Sequence, residues 1–390
     1  MVKLLIISTH PTHPAIEGNR RFIFNQVELF KKMGYDVHFL LIQLGNSSWG
    51  NTDLVLKEMS KYWQDKLYVF RKSQLYFKLK FKRQGFRNVF NNGYLKADDW
   101  WPSGLDKYVE KLQDNHHFDA CIINYYILSK LFTKVKFPLM AVNSHDYFGY
   151  KNLLTSEKSV WLGTTPNEEA KALQRCPHIF ALNTEEAIYF QKLSPLSKVY
   201  NVFSIYYPRV NNCVGNQNLL FLSGNNNYNI NGLNWFLEEI FPAIVKKYPM
   251  CSLIIGGGIC KNIDHLKKCR NIKLVGYVDN FNDFYDQGDV VINPTYQGTG
   301  LKIKTFEGIA NDKIVMAHPH SKIGIFNPDK APLFTSLLSS EWVSFLESVW
   351  NNQRKVEEIK KQDRDYLRLM NDFIVQEYKR CFSCLNNRDR

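Results

Sequence analysis

No stretch of this 390-residue chain reaches the roughly 18 consecutive apolar residues of a membrane-spanning helix. The opening Met1-Val2-Lys3-Leu4-Leu5-Ile6-Ile7-Ser8 is too short and wrongly flanked for a secretory signal. It reads as a first buried strand, and the chain is expected to stay in the cytoplasm. Metal-ligand spacing is also lacking. Of eight cysteines, only Cys381 and Cys384 form a C-x-x-C pair, and no second pair stands near it. Reduced thiols are therefore expected rather than a zinc or redox centre. Acids are the scarcer charge, 37 against 50 Lys and Arg, for a formal net charge of +13. Such a chain suits an acidic partner: nucleic acid, an anionic membrane face or phosphorylated substrates. Charge alone does not choose among them.

What is present suits two α/β domains. The length is too great for one core, and 45% hydrophobic with 22% charged residues is ordinary for a globular protein. Strand 4–7 leads through His10-Pro11-Thr12-His13-Pro14 and Gly18-Asn19-Arg20-Arg21 into a helix from about Arg21 to Lys32. Its apolar positions Phe22, Val27, Phe30 and Met33 have helical spacing, and Gly34 ends it. Val37–Ile42 is the next strand. This is a βαβ start with its glycine loop at the strand's carboxyl end, where open sheets bind ligands. Gly18 and Asn19 are thus candidate binding residues. The full G-x-G-x-x-G is missing, so a dinucleotide is not implied. Asp98-Asp99-Trp100-Trp101-Pro102 is expected to begin a helix reaching about Leu112. Strands follow at 119–125 and 139–143. The second runs into Ser144-His145-Asp146-Tyr147, which puts His145 and Asp146 where chemistry or acceptor binding can occur. Irregular residues 195–217 mark a boundary, and from Leu219 the α/β rhythm restarts. Strands at 219–222, 253–255, 272–277, 290–292 and 314–317 each end in a glycine or polar loop, including Gly224 and Gly257. The expected domains are 1–200 and 201–350. The helical tail, 351–390, is expected to return to the first domain.

The most informative stretch is Tyr296-Gln297-Gly298-Thr299-Gly300-Leu301-Lys302-Ile303-Lys304-Thr305-Phe306-Glu307-Gly308-Ile309-Ala310. It follows a short buried strand, Val290-Val291-Ile292. Gly298, Thr299, Gly300 and Leu301 let backbone N–H groups come close to a ligand, while Lys302 and Lys304 add positive charge. The helix that follows points N–H groups at an anion. Glu307 repels phosphate, so it is better suited to vicinal hydroxyls such as those of a ribose. Together these parts fit a nucleotide diphosphate joined to a sugar. Separately, Lys66 to Arg87 holds eight Lys or Arg and no acid, interleaved with aromatics and leucines. Alternation past Tyr76 favours a strand, with a helix basic all round as the alternative. This segment is either a solvated basic face or a contact for an anionic membrane or lipid phosphate. No nucleic-acid motif accompanies it.

These residues resemble the retaining glycosyltransferases of family four, and the similarity covers nearly all of the chain. Gly224 through Asn229-Ile230-Asn231-Gly232-Leu233-Asn234-Trp235-Phe236 resembles the family's "N-I-x-G-L-x-W-F" block. Gly276-Tyr277-Val278-Asp279 resembles its "G-y-v-x-D" turn, and Gly298 to Glu307 its donor motif. Asp98-Asp99-Trp100-Trp101, Asn124-Tyr125, Ser144-His145-Asp146 and Trp161 to Glu169 look like a bacterial branch working on surface polysaccharides. The family usually carries two glutamates separated by seven residues. Glu307 matches the second, and Thr299 stands where the first would fall, as in a subset with Gly-Thr-Gly or Gly-Ser-Gly there. The family's Arg and Lys near the start of the second domain are absent too.

The resemblance implies a GT-B fold, two doubly wound Rossmann-like α/β domains facing across a cleft. It implies transfer of a sugar, with retention, from a nucleotide-diphosphate sugar to a saccharide acceptor, lipid-linked in the expected case. The setting would be O-antigen, capsule or lipopolysaccharide synthesis. Glu307 would bind the ribose and His145 a hydroxyl of the reacting sugar or acceptor; with the family's Arg and Lys absent, Lys302 or Lys304, or both, are expected to take over the diphosphate. Gly18, Asn19, Asp146, Gly224, Asn229, Gly257, Tyr277, Gly298, Thr299, Gly300 and Leu301 would line the substrates. No cofactor or metal is expected and no nucleic acid; residues 66–87 would allow peripheral binding to an anionic membrane. The rival readings are a sugar-nucleotide epimerase of the same fold and a non-catalytic sugar-nucleotide-binding or scaffold protein.

Overall fold

The computed structural model describes residues 1–15, 18–43, 52–73, 75–76, 79–80, 94–154, 162–209, 215–300 and 302–386. The chain divides into two compact units, 1–205 with 374–390, and 206–373.

The first unit is built on seven parallel strands: β1 (Lys3–Ser8), β2 (Asp36–Gln43), β3 (Leu67–Arg71), β4 (Ala120–Asn124), β5 (Leu139–Asn143), β6 (His178–Ala181) and β7 (Lys198–Asn201). Their order in the sheet is β3-β2-β1-β4-β5-β6-β7. Leu4 lies beside Val37 on one side and Ala120 on the other. A parallel sheet with helices on its faces buries both sides of its strands, which is why β1, β4 and β5 are continuous apolar runs. Leu5, Ile7, Leu40, Ile42, Cys121 and Ile123 join one large core. Its helices include α1 (Gly18–Lys32), α2 (Asp53–Trp63), α3 (Leu105–His116), α4 (Phe148–Leu154), α5 (Pro166–Leu173) and α6 (Thr184–Leu193).

The second unit repeats the plan with six parallel strands: β8 (Leu219–Leu222), β9 (Leu253–Gly256), β10 (Ile272–Gly276), β11 (Val290–Asn293), β12 (Ile314–Ala317) and β13 (Leu333–Thr335), ordered β10-β9-β8-β11-β12-β13. Here α7 (Asn227–Trp235) continues through a π turn at 236–240 into α8 (Phe241–Lys247). Pro242 explains the turn: it has no N–H to give, and the wider turn makes room for its ring. Three further helices follow α9 (Phe281–Tyr285): α10 (Ile303–Ala310), α11 (Ser339–Trp350) and α12 (Gln353–Asn386). The architecture is two parallel-sheet Rossmann-like α/β units, the GT-B plan.

Several sequence expectations need correction. Asp98 does not start a helix. Pro102 and Gly104 (φ +79°) intervene, α3 begins at Leu105, and the Asp98 carboxylate pairs with Arg175 at 2.5 Å. α1 starts three residues earlier than expected, so Gly18 and Asn19 are its first turn rather than a loop. Within the basic segment, 67–71 is edge strand β3, and the described residues 75–76 and 79–80 are helical, not extended. The Tyr76 N–H donates to Ser73 Oγ (3.2 Å), a helix-start contact that hydropathy alternation cannot show. Lys66 pairs with Asp36 and Lys80 bonds the Trp101 carbonyl, so both serve the fold. Residues 74, 77–78 and 81–87 of that segment, with Trp161 and Leu301, lie outside the described residues. Among the described residues no helix is long and apolar enough to cross a membrane, and no cluster of His, Cys, Asp or Glu is placed to hold a metal ion.

The end of α12 belongs to the first unit. Ile374, Tyr378, Cys381 and Phe382 are buried there. The Tyr378 ring meets Phe30 (4.8 Å between centroids) and Phe180 (5.1 Å), and its hydroxyl accepts from Gln26 Nε2 at 2.7 Å. Burial pushes the Cys381 thiol far up, so its C-x-x-C is core packing rather than a reactive pair. Tyr378→Ala should destabilise this unit by about 3–5 kcal/mol, and Tyr378→Phe by about 1 kcal/mol. Urea unfolding followed by circular dichroism measures both; an unchanged midpoint for the alanine variant would contradict this packing.

Candidate functional site

In each sheet the strand order reverses once, between β1 and β4 and between β8 and β11. Loops leaving the two strands at such a point diverge and leave a crevice at their carboxyl ends, where ligands of open α/β sheets bind. Each unit places predicted residues there.

In the second unit, the loop after β8 and the glycine turn after β11 are tied together by one side chain. Asn229, buried in the first turn of α7, donates from Nδ2 to the Gly224 carbonyl (2.9 Å). That fixes its amide orientation, so Oδ1 is left to accept from Lys304 Nζ at 2.8 Å. Lys304 is partly exposed, yet burial of its ammonium lowers it to about 8; nearby Glu307 opposes the shift and Lys302 adds to it. It is still mostly charged at neutral pH. Glu307, one turn on, accepts from the buried Tyr285 hydroxyl at 3.0 Å. The Gly298 carbonyl (φ +101° at that residue) receives Lys302 Nζ at 3.3 Å and His320 Nε2 at 2.9 Å. The same Nε2 also lies 3.3 Å from Lys302 Nζ, and burial with nearby Lys302 lowers the pKa of the ring.

The glycines differ in what they do. At Gly257 (φ +93°) a Cβ would stand 2.3 Å from the Ser223 carbonyl, so the chain itself demands glycine. At Gly224 and Gly300 a Cβ would meet nothing within 4 Å, and neither has left-handed φ. Nothing in the protein's own packing requires glycine at those two positions, and the space beside them is open. Thr299 lies in the same turn. Tyr277 follows edge strand β10, whose Gly276 carbonyl accepts from the Gly257 amide at 2.7 Å, and its ring is exposed.

In the first unit, His145 follows β5 in a left-handed conformation (φ +65°). Its ring stacks on Tyr125 (4.3 Å, 22°) and meets the edge of Phe22 (5.3 Å, 82°). Asn124 Nδ2 donates to the Ile7 carbonyl (3.2 Å), so Asn124 Oδ1 is an acceptor. It takes Asn143 Nδ2 at 3.0 Å and His145 Nε2 at 2.7 Å. Asn143 is in turn locked to Gln26 by a reciprocal amide pair. The chain of amides therefore assigns the tautomer: His145 carries its proton on Nε2 and keeps a lone pair on Nδ1. Burial, with His10 nearby, holds its pKa down to about 3, so it is neutral at physiological pH. Asn19, at the start of α1, donates to the Tyr125 hydroxyl (3.1 Å). Asp146 is engaged within its own turn, accepting from the Tyr147 amide (3.0 Å) and pairing with Lys151 (2.6 Å).

Sequence reasoning missed His320, Tyr285, Gln26 and Asn143. His320 was findable: it follows β12 as His145 follows β5, and the same carboxyl-end argument applies. The amides were not, because polar residues within buried strands and helices carry no local mark. Of two further cavities in the second unit, about 340 Å³ beside β13 and about 60 Å³ near Lys313, neither contains a predicted residue.

The assigned tautomer makes a prediction. In ¹⁵N-histidine spectra of the full chain, His145 should show the neutral Nε2–H pattern from pH 8 to 4. Protonation near pH 6.5, as for an exposed ring, would contradict the assignment.

Residues 216–329 match the family model described as "Glycosyl transferases group 1". A relative from Klebsiella pneumoniae, described as an "Uncharacterized 44.6 kDa protein in cps region", is 24% identical over 345 residues, covering 81% of this chain and 83% of that one. Among solved structures, Anabaena HepE in complex with UDP superposes with a TM-score of 0.64 at 12% identity, covering 99% of this chain and 100% of that one. S. aureus TarM, bound to Fondaparinux, alpha-GlcNAc-glycerol and UDP, gives 0.65 at 13% identity, covering 98% and 100%. The pneumococcal O-GlcNAc transferase GtfA, with UDP and GlcNAc, gives 0.64 at 8%, covering 98% and 99%. The likeness to these structures carries the fold, GT-B. The matched family domain, which spans every second-unit residue picked out above, makes this a protein of the glycosyltransferase superfamily.

Proposed function

We propose that the protein is a retaining glycosyltransferase of family four, acting in the synthesis of a bacterial surface polysaccharide. It takes a sugar from a nucleotide-diphosphate donor and passes it to a saccharide acceptor, in the first case to test one carried on a lipid. The observation that carries this is the Lys304 ammonium. It is held by Asn229 at the open glycine turn, with Glu307 one helical turn behind, inside the segment that matches group 1 glycosyl transferases.

The chemistry follows from charge. As the anomeric carbon–oxygen bond breaks, the departing diphosphate gains negative charge. Cations and N–H groups already aimed at it bind that state more tightly than the ground state. Lys304 needs no reorganisation, because Asn229 already fixes its position. Lys302 rests on a carbonyl at 3.3 Å, a weak contact that a phosphate oxygen would replace. The first turn of α10 adds N–H groups. Glu307 accepts from the ribose hydroxyls, with Tyr285 holding its carboxylate in place. Gly224, Gly300 and Thr299 let the donor approach the backbone. In the first unit, neutral His145 offers its Nδ1 lone pair to a hydroxyl of the reacting sugar or acceptor, and Gly18 and Asn19 border the same crevice. The relative in a cps region and the neighbours bound to UDP support the polysaccharide setting and make UDP-sugars the first donors to test. Any membrane contact would come from the basic segment 66–87.

Purified protein with a UDP-sugar panel and lipid-linked saccharide acceptors should release UDP and extend the acceptor. Lys304→Ala should slow transfer by ~10–1000-fold, and Glu307→Ala should raise the donor KM. Full rates in both Lys302→Ala and Lys304→Ala would overturn the assignment. A second measurement concerns metals: 5 mM EDTA, roughly a large excess over any bound ion, should leave the rate unchanged, whereas its loss and restoration by a divalent cation would show that the lysines do not act alone. An altered sugar nucleotide formed without acceptor would mark an epimerase instead.

A further inference from the structure

The turn that carries His145 is gripped from outside by two buried acids that the proposed chemistry does not use. Glu186, fully buried on α6, accepts at Oε2 from the Leu182 amide (2.8 Å) and from Ser144 Oγ (3.2 Å), and at Oε1 from Asn183 Nδ2 (3.0 Å). Glu169, 1% exposed on α5, accepts at one oxygen from the Phe148 amide and at the other from the Gly149 amide, both at 2.9 Å. The Tyr189 hydroxyl adds a third donor at 3.0 Å. One acid thus fixes the residue before His145, and the other fixes the start of α4 just after the turn. Gly149 leaves no slack, since a Cβ there would meet Pro166 at 2.8 Å and Glu169 Oε2 at 2.9 Å.

We propose that Glu186 is a positioning residue for His145, acting through the Ser144 hydroxyl, with Glu169 anchoring the far side of the same turn. This rests on the role proposed above for His145. The reasoning starts from strain. A non-glycine residue at φ +65° is unfavourable and persists only where its neighbours dictate it. The residues flanking His145 are dictated by these carboxylates. Ser144 also makes Glu186 tolerant of two protonation states. Its hydroxyl lies 3.1 Å from the Phe180 carbonyl and 3.2 Å from Glu186 Oε2. With Glu186 ionised, the single hydroxyl proton has two acceptors. With Glu186 protonated, the acid donates to Ser144 Oγ and Ser144 donates to the Phe180 carbonyl, a fully satisfied chain. The serine turns over between the two states, so the residue before His145 is held differently in each.

The groups around Glu186 favour the protonated form. Burial comes first, followed by the Asp146 and Glu169 carboxylates, against the Leu182 and Ser144 hydrogen bonds, and the pKa is pushed up to about 8. Asp146 is itself paired with Lys151, and Glu185 and Tyr147 stand near. Glu169 is raised to about 7, first by burial. Protonation of Glu186 is therefore expected to change hands between about pH 7 and 9. A step in the reaction rate across that window would report the flip at Ser144.

The test uses the full chain with ¹⁵N-labelled histidine, the His145 signals being identified by their loss in His145→Gln. In Glu186→Ala the Nε2–H tautomer pattern of His145 should weaken or average, and kcat for transfer should fall ~10–100-fold with the donor KM unchanged. Glu186→Gln keeps an oxygen for Leu182 and Ser144 and loses only the acceptor for Asn183 Nδ2, where its own NH₂ now stands. It should retain the tautomer and a rate within about threefold of the parent, without the step at pH 7–9. If Glu186→Ala does not fold, Ser144→Ala serves instead, since it removes one hydroxyl only; it should erase the step and shift the His145 ring signals. A folded Glu186→Ala or Ser144→Ala with unaltered His145 spectra and an unaltered pH profile would overturn the proposal. Altered spectra in a protein that transfers no sugar would uphold the positioning and overturn the proposed function.

Discussion

A buried ammonium needs a partner, and Lys304 Nζ donates to the Asn229 amide oxygen, with the Phe221 ring 5.9 Å away. The contact between Lys304 and Asn229 joins the first turns of α10 and α7, the helices that follow the two strands at the reversal of the sheet. Its geometry depends on the second bond that Asn229 makes to the Gly224 carbonyl. Without that bond the amide could turn its NH₂ toward the ammonium and repel it. The positive charge at the glycine turn is therefore as well placed as the loop that holds it. Cap, amide and lysine form one chain from Asn226 through Asn229 to Lys304.

The first unit meets a similar requirement without net charge. Gln26, Asn143 and Asn124 are buried amides, each giving and receiving, and they end on an imidazole kept neutral by its surroundings. Buried polar groups of this kind are tolerated only when every member is satisfied. The benefit is directional: a neutral ring with one defined lone pair recognises a hydroxyl, where a charged ring would only donate. The two units thus present different faces, cationic in one and neutral but oriented in the other, on the same strand order.

Much of the fold was legible because central parallel strands are apolar runs. β1, β2, β4, β5, β8, β9 and β11 stood out for that reason. β3, β7 and β13 lie at sheet edges and are short or half exposed, and β3 and β7 mix a charge with apolar residues, so no pattern announced them. The start of α3 was misplaced because two acids before a proline look like a helix beginning, while one of them is in fact reserved for Arg175. Lys304 and Glu307 stood out within one short glycine-rich stretch. Glu169, Glu186 and Asn143 did not, since their meaning lies in partners far along the chain. A carboxylate on a predicted helix is ordinarily a surface residue, and only the fold shows these two inside.

The course of α12 has a practical consequence. Its first part lies in the second unit and its last turns, with Tyr378 and Phe382, complete the hydrophobic interior of the first. The first unit is then not a contiguous piece of the polypeptide, and the second is inserted within it. A fragment ending near residue 205 would leave Phe30 and Phe180 without their aromatic cover, so severing the chain there yields two sticky halves rather than two domains. During synthesis, the amino-terminal half must wait for the last few dozen residues before its interior can close.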